Sequence, residues 1–355
     1  MNLLANPVHE LDPDARSPIV DEFERDMLRR IVGQERAVRQ VCRVYQTVLA
    51  GLRPPMRPIA NLLLLGPTGS GKTLLIEAMA AVLFGACDAF MKINCSEYEH
   101  GHEVSKLTGS PAGYMGHRET LPLLRQEALD RHQRRDNPAL QLNLLLFDEV
   151  EKAHPDFHNL LLGILDKAKL SLGDNTVVDF TKTIIFMTGN LGSREVQKLA
   201  IGAIGFESRV ADEDEMDRNI YRTSKAAAHK KFSPEFMNRI DKLIVFRALT
   251  PEHLGQILEI ELGKVQDRII AGVPNEGLFV FRTLPDARRF LIKEGTDAKS
   301  GARNLKRAIE KFVVVPLSNL ISTKQVGGGD VVNIERHPSG EKLKFSKAPR
   351  TPIGG

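Results

Sequence analysis

Cysteine is scarce in this chain and badly placed for either of its structural uses. Cys42, Cys87 and Cys95 are the three cysteines among 355 residues; they form no CxxC pair and leave an odd count. Neither a disulfide framework nor a zinc site is indicated, and a reducing compartment fits best. Long apolar runs are missing too, since no stretch approaches the roughly 18 apolar residues of a membrane span, so no membrane partner is expected. The opening residues, MNLLANPVHELDPD, lack a basic segment followed by an apolar one. A cytoplasmic protein without a secretory leader is therefore the expectation. Charge is almost balanced, with 49 basic against 45 acidic residues and a net charge of +4. That excess, unaccompanied by a recognition motif, argues against nucleic acid as a partner. Much of it sits near the C-terminus at Arg336, Lys342, Lys344, Lys347 and Arg350, where a solvated tail is the plain reading. Internal repeats are absent. With 42% apolar residues the chain can build ordinary cores, and its length has room for two or three domains.

What is present centres on Leu62 to Thr73, which reads LLLLGPTGSGKT. Four consecutive leucines before a glycine have the texture of a strand buried on both faces. The following segment, Gly66-Pro67-Thr68-Gly69-Ser70-Gly71-Lys72-Thr73, matches the phosphate-loop pattern in full. Its glycines let several backbone N–H groups point at one anion, and the helix that follows presents its positive end to the same place. Lys72 is the point charge for the β and γ phosphates, and the Thr73 hydroxyl is a magnesium ligand, so ATP and Mg2+ are the expected cofactors. The helix is supported by Leu75, Ala78, Met79 and Val82 at helical spacing.

Elsewhere, Phe90 to Asn94, Leu142 to Phe147, Thr183 to Thr188 and Leu243 to Phe246 are strand-length apolar runs separated by helical patterns. That alternation predicts an α/β fold with a parallel sheet covered on both faces. A short amphipathic helix is expected from Asp21 to Gln34, broken at Gly33, and a second to Leu49. After Ala248 the texture becomes helical, from Thr250 to about Leu320, and ends in a hairpin of Val331 to Ile334 with Lys342 to Phe345. The expected division is a leader over 1–20, a nucleotide-binding domain over 21–248, a smaller domain over 249–346 and a tail over 347–355. At Leu142 to Glu149, LNLLLFDE, an apolar strand ends in two carboxylates. Asp148 is placed to hold magnesium and Glu149 to deprotonate an attacking water. Asn190, after TIIFMT, is a candidate to bond the same water or the γ-phosphate.

GPTGSGKT, LLLFDEVEKAHPD, IIFMTGNLGS, FSPEFMNRID and SGARNLKRAIE, in that order, closely resemble the C-terminal ATPase domain of the Clp unfoldases, the ClpA, ClpB and ClpC group of AAA+ proteins. The resemblance implies an AAA+ P-loop NTPase core with a parallel sheet flanked by helices, a small α+β lid domain, and a homo-oligomer, expected to be a hexamer. It also implies an ATPase that threads polypeptides through a central pore. The alternative is a nucleotide-switched scaffold that remodels a fixed partner without threading.

Carried over residue by residue, the resemblance makes Asn190 the sensor of the γ-phosphate. It makes Arg239 the arginine finger offered to a neighbouring subunit, and Arg303 a second sensor reaching from the lid. Without it, both arginines would read as solvated surface charges. Ile31 and Val32, in Ile31-Val32-Gly33-Gln34, resemble the segment that packs on adenine, although a helix break with a core apolar pair fits the same residues. Tyr114, in TGSPAGYMGH, resembles the pore-loop aromatic that grips substrate, with Ala112 and His117 departing from the family pattern; a Tyr packing its own loop is the plainer reading. Leu170 to Val178 is a second candidate for the channel lining. Ile204-Gly205-Phe206 is similar to the tripeptide with which protease-coupled members dock on a ClpP-like peptidase, and an apolar tripeptide tucked against its own domain fits as well. Leu121 to Gln141 has the look of a basic, polar insertion that forms a surface helix or receives a partner.

Overall fold

The architecture follows from one run of buried strands, seen in a computed structural model that describes residues 11–13, 15–109, 121–134, 141–193, 213–272, 278–296 and 301–347. Helices α1 (Pro18–Leu28) and α2 (Glu35–Leu49) lead into β1 (Ala60–Leu65), α3 (Lys72–Phe84) and β2 (Met91–Asn94). Two single-turn helices follow, α4 (Ser105–Thr108) and α5 (Gln126–Leu129). Next come β3 (Asn143–Asp148), α6 (Pro155–Lys167), a hairpin of β4 (Lys169–Ser171) with β5 (Val177–Asp179), and β6 (Thr183–Gly189). Helices α7 (Glu213–Lys231) and α8 (Pro234–Met237) precede the edge strand β7 (Lys242–Val245). The main sheet has five strands in the order β2-β3-β6-β1-β7, with every pairing parallel.

Residue alternation divides that sheet between two cores. Leu62, Leu64, Leu144, Leu146, Ile184 and Phe186 face the core built with α1, α2 and α3, whereas Leu63, Leu65, Leu145, Phe147, Ile185 and Met187 face the one built with α6 and α8. Successive side chains of a strand point to opposite faces, so a strand buried on both must be apolar throughout, as β1 is. Because all five strands run the same way, their C-terminal ends share one rim. Leu65 is level with both Gly189 and Val245 across the register, and Asn94 is level with Asp148. A ligand site in an open α/β sheet belongs on such a rim.

The C-terminal part has its own apolar core, around Leu258, Phe290, Leu291, Leu305, Val313 and Ile334. It comprises α9 (Pro251–Gly272), β8 (Val280–Thr283), α10 (Pro285–Gly295), α11 (Ala302–Ile309), a π-helical turn over Glu310–Val314, α12 (Val315–Ser322), β9 (Val331–Arg336) and β10 (Leu343–Lys347). The expected terminal hairpin is present as antiparallel β9 and β10. The expectation of unbroken helical texture from 250 to 320 is corrected by β8, which pairs in parallel with β9. Four residues of which only Thr283 is buried carry too little periodicity to stand out between two helices. One helix expectation also shifts: the first helix starts at Pro18, capped by the Ser17 hydroxyl, and ends at Leu28. Ahead of Phe232 stands the 19-residue helix α7. Asp217 of α7 pairs with Arg36 at the start of α2 and with Arg247 just past β7, which fixes the helix to the sheet edge. Of the polar segment 121–141, the described part forms only the single turn of α5 and a following 3-10 turn. Cys42 and Cys95 are buried and Cys87 is exposed, all as free thiols. Burial pushes the Cys42 thiol up to about 12 and that of Cys95 higher still.

Candidate functional site

The loop Gly66–Gly71 joins β1 to α3 on the rim, beside the central strand β6. Gly66 is held where a side chain cannot go: a Cβ there would lie 2.7 Å from both Cβ and O of Phe246, on a backbone with φ of +152°. The turn is thereby pressed against the end of β7, and the Phe246 N–H donates to Leu65 O at 2.7 Å. Gln34 secures the loop from the other side. Its buried amide donates to Ser70 O at 3.1 Å and to Arg247 O at 3.0 Å, and its Oε1 accepts from the Arg247 N–H.

Lys72, the first residue of α3, is almost wholly buried beneath the loop. Its ammonium donates to Gly66 O at 2.7 Å, Pro67 O at 2.9 Å and Asn190 Oδ1 at 2.9 Å. Burial lowers its pKa to about 8, against the pull of Glu151, Asp148 and Glu149, and the nearby Arg303 lowers it further. An anionic phosphate entering the loop would favour the charged form further.

The carboxylates arrive from β3. Asp148 accepts from the buried Thr188 hydroxyl through Oδ1 and pairs with Lys92 of β2 through Oδ2 at 2.7 Å. Glu149 has a left-handed backbone, φ +58°, an uncommon conformation for a residue with a side chain. Its N–H donates to the same Thr188 hydroxyl at 3.0 Å, so one side chain fixes both acids to β6. The Glu149 carboxylate receives Lys152 at 2.5 Å and the Asn190 amide at 3.4 Å. Asn190 follows β6 and thus stands between Lys72 and Glu149, touching both.

A cleft of about 380 Å³ runs over these groups, lined among others by Thr68, Gly69, Thr73, Asp148, Glu149 and Asn190, and closed from the C-terminal part by Arg303 and Lys306. Two observations show how closely α11 approaches. The Ala302 N–H donates to Gly69 O at 3.3 Å, and a Cβ on Gly301, whose φ is +52°, would fall 2.8 Å from that oxygen. Arg303 is on the first turn of α11 and Lys306 one turn later, so both face the phosphate loop.

The cleft therefore gathers Thr73, Lys72, Asp148, Glu149, Asn190 and Arg303, as expected. It does not gather Arg239. That guanidinium lies beyond α8 and pairs with Asp166 of α6 at 3.3 Å, half exposed, without lining the cleft. Ile31 is packed in the core and Val32 is half-buried; neither lines the cleft, and their segment reaches the phosphate loop through Gln34. Tyr114 and Ile204-Gly205-Phe206 lie outside the described residues. Sequence reasoning passed over Lys92, Thr188, Glu151 and Lys306. Lys306 was within reach as the residue one turn after Arg303.

The donor set suits a hard cation. A threonine hydroxyl and one carboxylate oxygen match magnesium, which keeps few protein ligands and takes the rest from phosphate and water. No cluster of three or more His, Cys, Asp or Glu suited to a metal occurs among the described residues.

A glycine-rich loop leading into a helix at the rim of a parallel sheet, with two acids and an amide at the ends of adjoining strands, defines a P-loop nucleotide-binding protein. Comparison with known families then makes the assignment specific: the chain belongs to the AAA domain family (Cdc48 subfamily), matched over residues 57–243, and residues 249–334 match the C-terminal D2-small domain of ClpB. Among its relatives, the chaperone protein ClpB 1 of Nostoc sp. is 35% identical over 344 residues, 97% of this chain and 36% of that protein. ClpC of Staphylococcus aureus, the ATP-binding subunit of an ATP-dependent Clp protease, is 35% identical over 93% of this chain and 38% of its own length. A cryo-EM reconstruction of closed-state Hsp104 with ATPγS and FITC-casein superposes with a TM-score of 0.72 at 28% identity, covering 92% of this chain and 51% of that one. The chain thus spans little more than a third of the curated relatives it matches. No helix among the described residues is long and apolar enough to cross a membrane.

Proposed function

We propose that this chain is the ATP-hydrolysing unit of a ring-forming protein unfoldase. The observation that carries the reading is the position of Asn190, bonded at once to the phosphate-loop lysine and to the candidate base. In this reading the loop N–H groups and Lys72 hold the β and γ phosphates of ATP. Thr73 and Asp148 hold Mg2+, which when bound neutralises charge on the phosphate oxygens. Glu149 takes the proton of the attacking water, Asn190 orients that water against the γ-phosphate, and Arg303 brings positive charge from the lid. Arg239 acts on the nucleotide of a neighbouring protomer. The contact of α11 with the phosphate loop gives the small domain a route by which phosphate release becomes movement.

The substrates are polypeptides, gripped by Tyr114 in the pore of a hexameric ring; an aromatic ring presses on any extended chain without reading its side chains. Folded domains are held by only about 5 to 15 kcal/mol, so repeated small strokes on a terminus suffice. Tyr114→Ala is expected to abolish unfolding of a tagged fluorescent substrate while ATPase and assembly persist. Unfolding at the wild-type rate would instead favour a nucleotide-switched scaffold that remodels a fixed partner. The name of the S. aureus relative motivates a peptidase partner for this chain as well, docked through Ile204-Gly205-Phe206. If so, Phe206→Ala should lose stimulation of a ClpP-like peptidase by the wild type; no stimulation by the wild type would remove that partner.

A further inference from the structure

Glu151 has no part in the reading above and does not line the cleft, yet with Asp148 and Glu149 it is one of three acids that act on Lys72. It follows Glu149 by two residues in a 3-10 turn, Val150–Lys152, that begins straight after the left-handed Glu149. Its Oε1 accepts the backbone N–H of Asn190 at 2.9 Å. Its Oε2 is buried without a hydrogen-bond partner among the described residues, and lies 3.0 Å from where a Cβ on Gly189 would be. Of the three carboxylates that act on Lys72, Glu151 exerts the largest pull.

We infer that Glu151 is the positioning residue of the γ-phosphate sensor: by accepting the Asn190 N–H, it fixes that residue's side chain with Oδ1 on Lys72 and Nδ2 on Glu149. Asn190 is the first residue after β6, where the ladder ends at Gly189. With no strand partner for its N–H, its backbone would be held only from the carbonyl side, where Asn190 O accepts from the Ser193 N–H and hydroxyl. The Glu151 carboxylate replaces that partner. It also belongs to the turn bearing Glu149, so base and sensor are held in register by one short segment rather than by separate loops. The missing side chain at Gly189 fits the same account, since the carboxylate occupies the space beside it.

This rests on the ATPase reading of the site, and the experiment separates the two. Affinities for ATPγS and for ADP, with steady-state kcat and KM for ATP, are to be measured for wild type, Glu151→Gln, Glu151→Ala, Asn190→Ala and the double alanine variant, each checked by thermal melting. A charged-acceptor hydrogen bond to the sensor is lost in Glu151→Ala. Its preference for ATPγS over ADP and its kcat should fall roughly ten- to a hundred-fold, with little change in ADP affinity. Glu151→Gln keeps an acceptor and should recover most of the preference. The double variant should be no worse than Asn190→Ala, because two residues acting through one contact are not additive. Unchanged preference and kcat in Glu151→Ala, or additive losses in the double variant, would overturn the assignment while leaving the ATPase reading intact. A wild type that does not bind ATPγS would instead overturn both.

Discussion

Arg239→Ala is expected to bind ATP as the wild type does and to lose about a thousand- to a hundred-thousand-fold in turnover, roughly 4 to 7 kcal/mol of transition-state stabilisation. The direction follows from where the guanidinium is. It is absent from its own chain's cleft and, among the described residues, its side chain is held by a half-exposed pair with Asp166. Removing such a pair costs about 0 to 1 kcal/mol of stability, so the variant should fold. The other contacts at this position are made by the backbone, whose carbonyl accepts from the fully buried Asn61 amide at 2.9 Å and whose N–H donates to Phe236 O at 3.0 Å, and alanine preserves both. Loss of activity with an intact melt therefore isolates the side chain. Two measurements test that it acts on a neighbour. Wild-type specific activity should climb with protein concentration as rings form, and a mixture of Arg239→Ala with Glu149→Gln should exceed either alone, since each supplies what the other lacks. Turnover of Arg239→Ala at the wild-type rate would remove the finger assignment.

How much of this was legible beforehand depended on whether a feature is local in the chain. The strands of the main sheet were readable because double-sided burial demands unbroken apolar runs, and Leu62 to Leu65 or Leu144 to Phe147 have no other ready explanation. The phosphate loop was readable because its chemistry is written in consecutive residues. Gln34 shows where this stops. Its bonds reach Ser70, 36 positions away, and Arg247, 213 positions away, and nothing near Gln34 signals either. Thr188 likewise looks like one more residue of an apolar strand until parallel pairing brings its hydroxyl to Asp148 and Glu149. Lys92 is an ordinary strand lysine until the register sets it beside Asp148. Arg239 was visible only through resemblance, because it lies outside its own chain's cleft and has no partner there to betray a role.

Glu149→Gln is expected to trap ATP: affinity retained, hydrolysis reduced about a hundred- to ten-thousand-fold, the usual contribution of a positioned base. Glutamine is nearly isosteric and keeps the features that set the geometry. The Glu149 N–H can still donate to Thr188 and a side-chain oxygen can still accept from Asn190. What disappears is the capacity to take a proton, together with a surface pair to Lys152 that contributes little. Lys72 loses one of three nearby negative charges, which should tighten rather than loosen its hold on a phosphate. Trapping is measured by the lifetime of bound radiolabelled ATP after a chase, with single-turnover hydrolysis in parallel. Hydrolysis persisting at the wild-type rate would mean that Glu149 is not the base. The carboxylate to examine next would then be Glu151, whose buried Oε2 has no partner among the described residues. Loss of binding would carry a different meaning: that the charge of Glu149, rather than its basicity, sustains the cleft through Lys152 and Asn190. The two results separate a proton acceptor from a structural anion.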